Sequence, residues 1–199
     1  MKIKVLLVNG SPRKNGNTQA ALDTVAAQLV ANGIEVEHIQ IGNMRLWGCQ
    51  ACSGCEKTRD GRCAYGESDG MNELLGKVWA SDGLVIGSPT YFGSLTSATK
   101  SFIDRCGYVC RVTDRNLLRG KVGAAVAVHR RAGALNVYQQ INLLFGIGEM
   151  PIASSSYWSM ACARVPGEYE QDAEGVQTME VLGDNMAKML IELRGGDRA

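Results

Sequence analysis

Four of the seven cysteines in this 199-residue chain crowd into one short segment, at a spacing that suits iron or redox chemistry. The segment reads C-x2-C-x2-C-x7-C, and its fourth cysteine follows the turn Arg59-Asp60-Gly61. A compact loop can aim the first three thiols at one point, as the ligands of a cubane iron-sulfur cluster require. The candidate metal ligands are Cys49, Cys52, Cys55 and Cys63.

The same spacing leaves other chemistry open. A structural zinc ion usually takes two separate C-x2-C pairs roughly 12 to 20 residues apart, and the sequence has no second pair. Thiols that are redox-active or that bind nothing are a further alternative. We expect a [4Fe-4S] cluster. Cys106, Cys110 and Cys162 have no ligand spacing, and Cys106 is expected in the core.

A second constellation is the polar segment G-S-P-R-K-N-G-N-T, from Gly10 to Thr18. Its hydroxyl, amide and guanidinium donors, a tight glycine turn and the start of a helix favour a phosphate monoester. The segment matches neither the Walker A motif nor G-x-G-x-x-G, which counts against nucleoside triphosphates and Rossmann-type dinucleotides. A polar turn with a helix cap is the alternative. The predicted phosphate contacts are Ser11, Arg13, Asn15, Gly16, Asn17 and Thr18.

Two further loops carry residues that suit a planar heteroaromatic ring. The segment S-P-T-Y-F-G offers extended backbone donors beside a flat apolar surface, although its two aromatics could instead be core residues. The segment H-R-R-A-G begins with a histidine that is either a neighbour of the ring or a surface residue. His38 is expected to be structural or solvated. The predicted ring contacts are Ser88, Pro89, Thr90, Tyr91, Phe92, Gly93 and His129.

The elements that must position these residues alternate between strands and helices. The strands are predicted at Ile3–Asn9, Ile34–Ile41, Gly83–Gly87, Lys121–Val128 and Met150–Ser154, and the helices at Gln19–Ala31, Leu95–Cys106, Leu135–Phe145 and Ala173–Leu193. This alternation predicts an α/β fold, a doubly wound five-stranded parallel sheet with the flavodoxin-like order 2-1-3-4-5. In that order the three loops meet where the strand order reverses, at the carboxyl ends of the strands.

The composition limits the classes of function. Hydrophobic residues make up 45% and charged residues 21%, as in globular proteins. A net charge of +1 favours neither nucleic acid nor an anionic membrane as a partner. We expect a single domain over residues 1–199, with a cysteine-rich insertion at 43–70 after strand two and an irregular segment at 157–172. A cytoplasmic location suits free thiols and the lack of an apolar spanning stretch.

The loops resemble those of the NADPH-dependent FMN reductase family of flavodoxin-like proteins. The resemblance rests on G-S-P-R-K-N-G-N-T, on S-P-T-Y-F-G and on K-x-F-x-D-R from Lys100 to Arg105. The insertion from Cys49 to Cys63 matches the iron-sulfur flavoprotein subgroup. The resemblance spans roughly residues 1–155 and implies FMN, with the phosphate on Ser11, Arg13, Asn17 and Thr18 and the ring against 89–93. Lys100 and Asp104 are interpreted as an i,i+4 ion pair, and H-R-R-A-G is poorer in glycine than the third loop of relatives.

These observations together predict an FMN-dependent oxidoreductase or electron-transfer flavoprotein whose FMN exchanges electrons with the cluster. One alternative is an NAD(P)H-dependent FMN or quinone reductase without a cluster, and another is a non-catalytic redox sensor. No side chain is expected to act as a nucleophile or general acid. The expected redox partner is ferredoxin or NAD(P)H. Four aromatics predicted to be exposed, Trp47, Tyr91, Phe92 and Trp158, suggest a homodimer or homotetramer.

Overall fold

A computed structural model describes residues 2–195 and contains a five-stranded parallel sheet. The strands are β1 (Lys4–Asn9), β2 (Glu35–Gln40), β3 (Gly83–Pro89), β4 (Val122–His129) and β5 (Met160–Cys162). Their spatial order is β2-β1-β3-β4-β5, which confirms the predicted flavodoxin-like arrangement. Residue 1 and residues 196–199, the ends of the predicted domain, lie outside the described part of the chain.

Helices cover both faces of this sheet, which explains why the central strands are continuous apolar runs rather than alternating ones. One face packs against α1 (Asn17–Ala31) and α7 (Ala173–Gly195). The other packs against α4 (Met71–Ala80), α5 (Ser97–Val112) and α6 (Ala134–Ile147). Within residues 2–195, every helix is too short or too polar to cross a membrane.

The cysteine-rich insertion contains two short helices, α2 (Gly54–Thr58) and α3 (Gly66–Asp69). It leaves the sheet at the carboxyl end of β2, as expected. The helix α4 that follows it was not predicted from the sequence. Its buried residues include Met71, Leu74 and Val78, which form one apolar face at helical spacing. The insertion therefore returns to the sheet through an amphipathic helix.

The predicted fifth strand, Met150–Ser154, is wrong. Only Ile152 of that segment makes a bridge to β4, opposite Gly123, and the strand proper is β5. Pro151 has no N–H, so this segment cannot form a regular ladder. The chain then loops out and returns to pair with the carboxyl half of β4, where Met160 lies opposite Ala127. The segment 157–172, expected to be irregular, thus contains β5 and the 3-10 helix Tyr169–Gln171.

Strand β4 packs so closely against α6 at Gly123 that a larger residue there should destabilise the protein. A methyl group added at Gly123 would lie 2.6 Å from Cγ of Phe145, a fully buried ring. Gly123→Ala should therefore lower the free energy of unfolding by about 1–3 kcal/mol through overpacking. Chemical denaturation measures the change. The matched control is Gly146→Ala in α6, the helix that carries Phe145. A methyl group at Gly146 would have no neighbour within 4 Å, so the change should be neutral or stabilising. Equal effects at the two positions would contradict the prediction.

Candidate functional site

Three loops meet at the carboxyl edge of the sheet and fasten to one another through backbone groups. The N–H of Gly10 donates to the carbonyl of Gly87 at 2.8 Å, and the N–H of Thr90 donates to that of Val128 at 2.7 Å. The Thr96 hydroxyl donates to the carbonyl of Gly10 at 2.8 Å. Together the loops line a cavity of about 290 Å³. Its position is the switch point at which ligands bind in doubly wound sheets.

Most of the predicted cofactor contacts line this cavity, namely Ser11, Arg13, Gly16, Asn17, Thr18, Pro89, Thr90, Tyr91 and His129. The other four do not. Asn15, Phe92 and Gly93 are exposed beside it, whereas Ser88 is fully buried under the loop. The Ser88 hydroxyl donates to the carbonyl of Pro89 at 2.9 Å and accepts from the N–H of Thr96. Ser88 therefore stabilises the conformation of the loop 88–94 from its buried side.

One end of the cavity is built for an anion. Helix α1 begins at Asn17, two residues earlier than expected, with Gly16 as its N-cap. No side chain caps this helix, and its first turn holds no acidic residue. Its first N–H groups and positive dipole end therefore face the cavity beside the buried side chains of Ser11 and Thr18.

The backbone of the first loop is supported from the ends of β1 and β2. The Gln40 amide donates to the carbonyl of Ser11 at 2.8 Å, and the Asn9 side chain accepts from the N–H of Ser11 at the same distance. A methyl group at Gly42 would lie 2.1 Å from the carbonyl of Ser11, so only glycine permits this approach. These contacts hold the loop in one conformation.

The charge of the cavity is positive. Three arginines line it, Arg13, Arg130 and Arg164, and none of its described lining residues is Asp or Glu. Arg13 donates to the carbonyl of Arg164 at 3.2 Å, which links the first loop to the segment after β5. The sequence interpretation missed Arg164 because it placed the fifth strand ten residues too early. A correct β5 would have brought the loop after Cys162 to the same edge.

The other end of the cavity presents polar atoms that have no partner within the described residues. These are the hydroxyl oxygen of Thr90 and Nδ1 of His129, both buried. Buried polar atoms are normally hydrogen-bonded, so this pair points to a ligand with complementary groups. Tyr91 and Phe92 are exposed, which excludes the alternative that they are core residues. Phe92 also has a left-handed backbone with φ of 48°.

A second pocket lies in the insertion and is lined by all four cysteines of the motif, Cys49, Cys52, Cys55 and Cys63. The chain around it contains three non-glycine residues in the left-handed region, Ala51, Ser53 and Arg59. Their φ values are 49°, 55° and 54°. Such conformations are costly and concentrate at functional sites. These three residues lie between or beside the cysteines that line the pocket.

The four thiols are close enough to interact electrostatically. Burial raises the pKa of the Cys55 thiol, and negative charge on Cys63, Cys52 and Cys49 raises it further. Among residues 2–195, no group of three or more His, Cys, Asp or Glu side chains is spaced to hold a metal ion. The thiolates of a four-iron cluster bind different iron atoms and so need more room than the ligands of one ion. The donor set suits such a cluster.

The most deeply buried charge in this region was missed by the sequence interpretation. Arg105, on α5, pairs with Asp69, and both side chains are only 2% exposed. Its guanidinium donates through Nε and Nη2 to Sγ of Cys63, at 3.3 Å each, and through Nη1 to the carbonyl of Trp47 at 3.1 Å. The signal available was its place in K-x-F-x-D-R, where Lys100 and Asp104 do form the expected ion pair.

Other contacts fix the backbone of the fourth cysteine. The side chain of Asn72 accepts from the N–H of Cys63 at 2.7 Å and donates to its carbonyl at 3.1 Å. The indole of Trp79 donates to the carbonyl of Gly61 at 2.9 Å. Helix α4, from which Asn72 and Trp79 project, therefore positions the end of the loop.

The three cysteines outside the motif and His38 differ in burial. Cys106 is fully buried, as expected, and Cys110 is buried as well, which raises its pKa to about 11. Cys162 is exposed. His38 is exposed at the edge strand and contacts the amide of Gln19 at 3.2 Å. These residues lie outside both pockets.

Comparison with known proteins agrees with this geometry. Residues 3–164 match the family model of the NADPH-dependent FMN reductases. An iron-sulfur flavoprotein of Methanocaldococcus jannaschii is 32% identical over 195 residues, covering 94% of this chain and 97% of that protein. A second one from the same organism is 30% identical, covering 97% of this chain and all of that protein.

Solved structures share the fold at low sequence identity. A structure of RosB superposes with a TM-score of 0.71 at 18% identity, covering 97% of this chain and 81% of that one. An NAD(P)H:quinone oxidoreductase from Methanothermobacter marburgensis has a TM-score of 0.70 at 14% identity, covering 94% and 98%. The match of the family model and the two curated relatives confirms the resemblance seen in the motifs. The chain therefore belongs to the NADPH-dependent FMN reductase family of FMN-dependent oxidoreductases, in its iron-sulfur flavoprotein subgroup.

Proposed function

We propose that this protein is an electron-transfer flavoprotein in which FMN, bound at the carboxyl edge of the sheet, exchanges electrons with a [4Fe-4S] cluster held by the insertion. The observation that carries the proposal is the convergence of Cys49, Cys52, Cys55 and Cys63 on one pocket. When bound, FMN can hold one or two electrons and the cluster one, so the pair would convert between two-electron and one-electron transfer.

The residues of the cavity fit FMN. A phosphate monoester carries nearly two negative charges at neutral pH. It would meet the first turn of α1, the hydroxyls of Ser11 and Thr18, and Arg13. The ring would lie against Pro89 to Gly93, where the unpartnered atoms of Thr90 and His129 match the carbonyl and nitrogen groups of an isoalloxazine. The protein orients the ring, and the flavin supplies the redox chemistry.

The cysteine pocket fits an iron-sulfur cluster by its donors. Burial and the charges of the three other thiols raise the pKa of Cys55, and bound iron would oppose that effect by placing a positive charge beside each thiolate. The seven cysteines are all free, which is consistent with a reducing compartment, and we place the protein in the cytoplasm. Its electron donor would be ferredoxin or NAD(P)H, as the family and subgroup suggest.

The phosphate placement can be tested by a double substitution. Arg13→Ala with Thr18→Ala removes one charge-assisted and one neutral hydrogen bond to the phosphate. FMN binding should weaken by about 2–4 kcal/mol, roughly 30- to 1,000-fold in Kd. Fluorescence quenching on titration of FMN into the flavin-free protein measures this. Lys14→Ala is the matched control, because Lys14 is an exposed cation of the same loop that does not line the cavity. An unchanged Kd for FMN in the double variant would contradict this position of the phosphate.

The cluster can be tested by removing its central candidate ligand. Cys52→Ala should abolish the iron and acid-labile sulfide of the anaerobically prepared protein while FMN stays bound, because the phosphate loop is a separate segment. Reduction of FMN by an obligate one-electron donor should slow, and any hydride transfer from NADPH should persist.

The matched control for that change is Cys162→Ala, since Cys162 is exposed and lies outside the cysteine pocket. It should retain full iron and sulfide content. If the wild-type protein itself holds neither iron nor sulfide after anaerobic preparation, the cluster proposal fails and a plain NAD(P)H-dependent flavin or quinone reductase is the better assignment.

We further propose that the protein works as a homodimer or homotetramer. The exposed aromatics Tyr91 and Phe92 would otherwise leave an apolar patch beside the flavin. Light scattering of the FMN-bound protein at micromolar concentration should give a multiple of 21.4 kDa. Phe92→Asp should weaken assembly, whereas Val30→Asp, at an exposed position on α1, should not. A monomeric wild-type protein would rule the proposal out.

A further inference from the structure

All five N–H donors of the Arg105 guanidinium are used, and two of them go to sulfur. Nη1 donates to Asp69 and to the carbonyl of Trp47, Nη2 to Asp69 and Cys63, and Nε to Cys63. The Asp69 carboxylate in turn accepts from the N–H groups of Trp47 at 3.0 Å and Met71 at 3.2 Å. Every polar side-chain atom of Arg105 and Asp69 therefore has a hydrogen-bond partner, which fixes the orientation of both side chains.

The four cysteines of the motif differ in the hydrogen bonds that their thiols accept. Among the hydrogen bonds of residues 2–195, those from Arg105 are the ones that reach a thiol of the cysteine pocket, and both reach Cys63. Burial by itself lowers the pKa of Arg105, but its hydrogen bonds to Asp69 and Cys63 leave the pKa raised. The guanidinium is charged at every physiological pH. The positively charged guanidinium of Arg105 thus lies beside Cys63, at one side of the cysteine pocket.

We propose that Arg105 is a positioning residue that raises the reduction potential of the cluster by holding two N–H groups on Sγ of Cys63, with Asp69 fixing the orientation of the guanidinium. This inference rests on the proposed function, since it concerns the cluster of that site. It assigns to the buried ion pair a task beyond joining the insertion to α5.

The physical reason is charge. A cluster that gains one electron carries one more negative charge, part of which resides on its thiolate sulfurs. N–H donors bond more strongly to a more negative sulfur, so they stabilise the reduced state over the oxidised one. Donors to metal ligands tune metal centres in this way. A guanidinium with its fork held by a carboxylate cannot turn away when the charge changes.

The first test is Arg105→Lys, studied in the anaerobically prepared protein that holds both FMN and the cluster. Lysine keeps the positive charge but has three donors at one nitrogen, so it cannot serve Asp69, Trp47 and Cys63 with the same fork. In a redox titration followed by electron paramagnetic resonance, the ratio of reduced to oxidised cluster at a fixed potential should fall about tenfold. For a one-electron couple this is a shift of about 59 mV to lower potential.

A second variant covers the case in which the lysine protein does not fold. Arg105→Gln combined with Asp69→Asn removes both charges of the pair and so leaves no unpaired buried ion. Its cluster potential should also fall, because an amide in this position has one N–H₂ group in place of the guanidinium. Arg111→Gln is the matched control, since Arg111 is an exposed cation of the same helix. The control should leave the potential of the cluster unchanged, and all variants should leave the potential of FMN unchanged.

The outcomes separate the two claims. Loaded variants whose cluster potential equals that of the wild type overturn this inference and leave the proposed function standing. Lower cluster occupancy with an unchanged potential in the loaded fraction also overturns it, because Arg105 would then be only structural. A wild-type protein that holds no iron and sulfide overturns the proposed function, and this inference with it.

Discussion

The ion pair between Arg105 and Asp69 is the interaction on which the insertion depends. Two charges buried together are tolerated only when their hydrogen bonds are satisfied, since the desolvation penalty otherwise exceeds their attraction. Here the pair joins Trp47, before the first cysteine, to Cys63, the last one. Burial raises the pKa of Asp69, but the hydrogen bonds from Arg105, Trp47 and Met71 leave it lowered. Both partners are therefore ionised at neutral pH. This ion pair joins the two ends of the cysteine loop, while Cys55 and Cys63 pack against the apolar core.

Helix α5 connects this pair to the loops around the cavity at the carboxyl edge of the sheet. Its N-cap residue, Thr96, accepts from the N–H of Thr99 and donates to the carbonyl of Gly10 in the first loop. The close approach is strict, since a methyl group at Gly10 would lie 1.9 Å from the hydroxyl of Thr99. Arg105 lies nine residues after Thr96, about 14 Å along the helix axis at 1.5 Å per residue. One helix thus makes contacts with the first loop, Gly10 to Thr18, at one end and with the cysteine pocket further along. The relative position of the two pockets follows from the helix rather than from flexible loops.

The sequence predicted what depends on periodicity and failed where tertiary contacts decide. The buried strands β1 and β3 are apolar runs bounded by turn formers, so their positions and the strand order could be inferred. The predicted fifth strand was wrong because β5 is only three residues long, Met160–Cys162, and so short a strand has no periodicity that the sequence could reveal. Arg105 was missed because a charged residue on a helix is ordinarily solvated. Its burial depends on Asp69, which lies 36 residues away in a different element. The four cysteines of the motif, by contrast, are local in sequence, and their place in one pocket could be predicted from spacing alone.

The left-handed backbone of the cysteine loop has to be stabilised by contacts with the rest of the chain. Left-handed backbone at Ala51, Ser53 and Arg59 costs on the order of 1–3 kcal/mol at each residue. Small zinc domains recover such costs from the metal and unfold without it. In this chain the clamp of Asn72 on Cys63 and the buried ion pair hold the loop by protein contacts. They offset part of the cost of the left-handed residues. The two apolar layers on the sheet include only Cys55 from the cysteine loop, with Cys63 packed against one of them, so the core of the fold is built almost entirely from residues outside this loop.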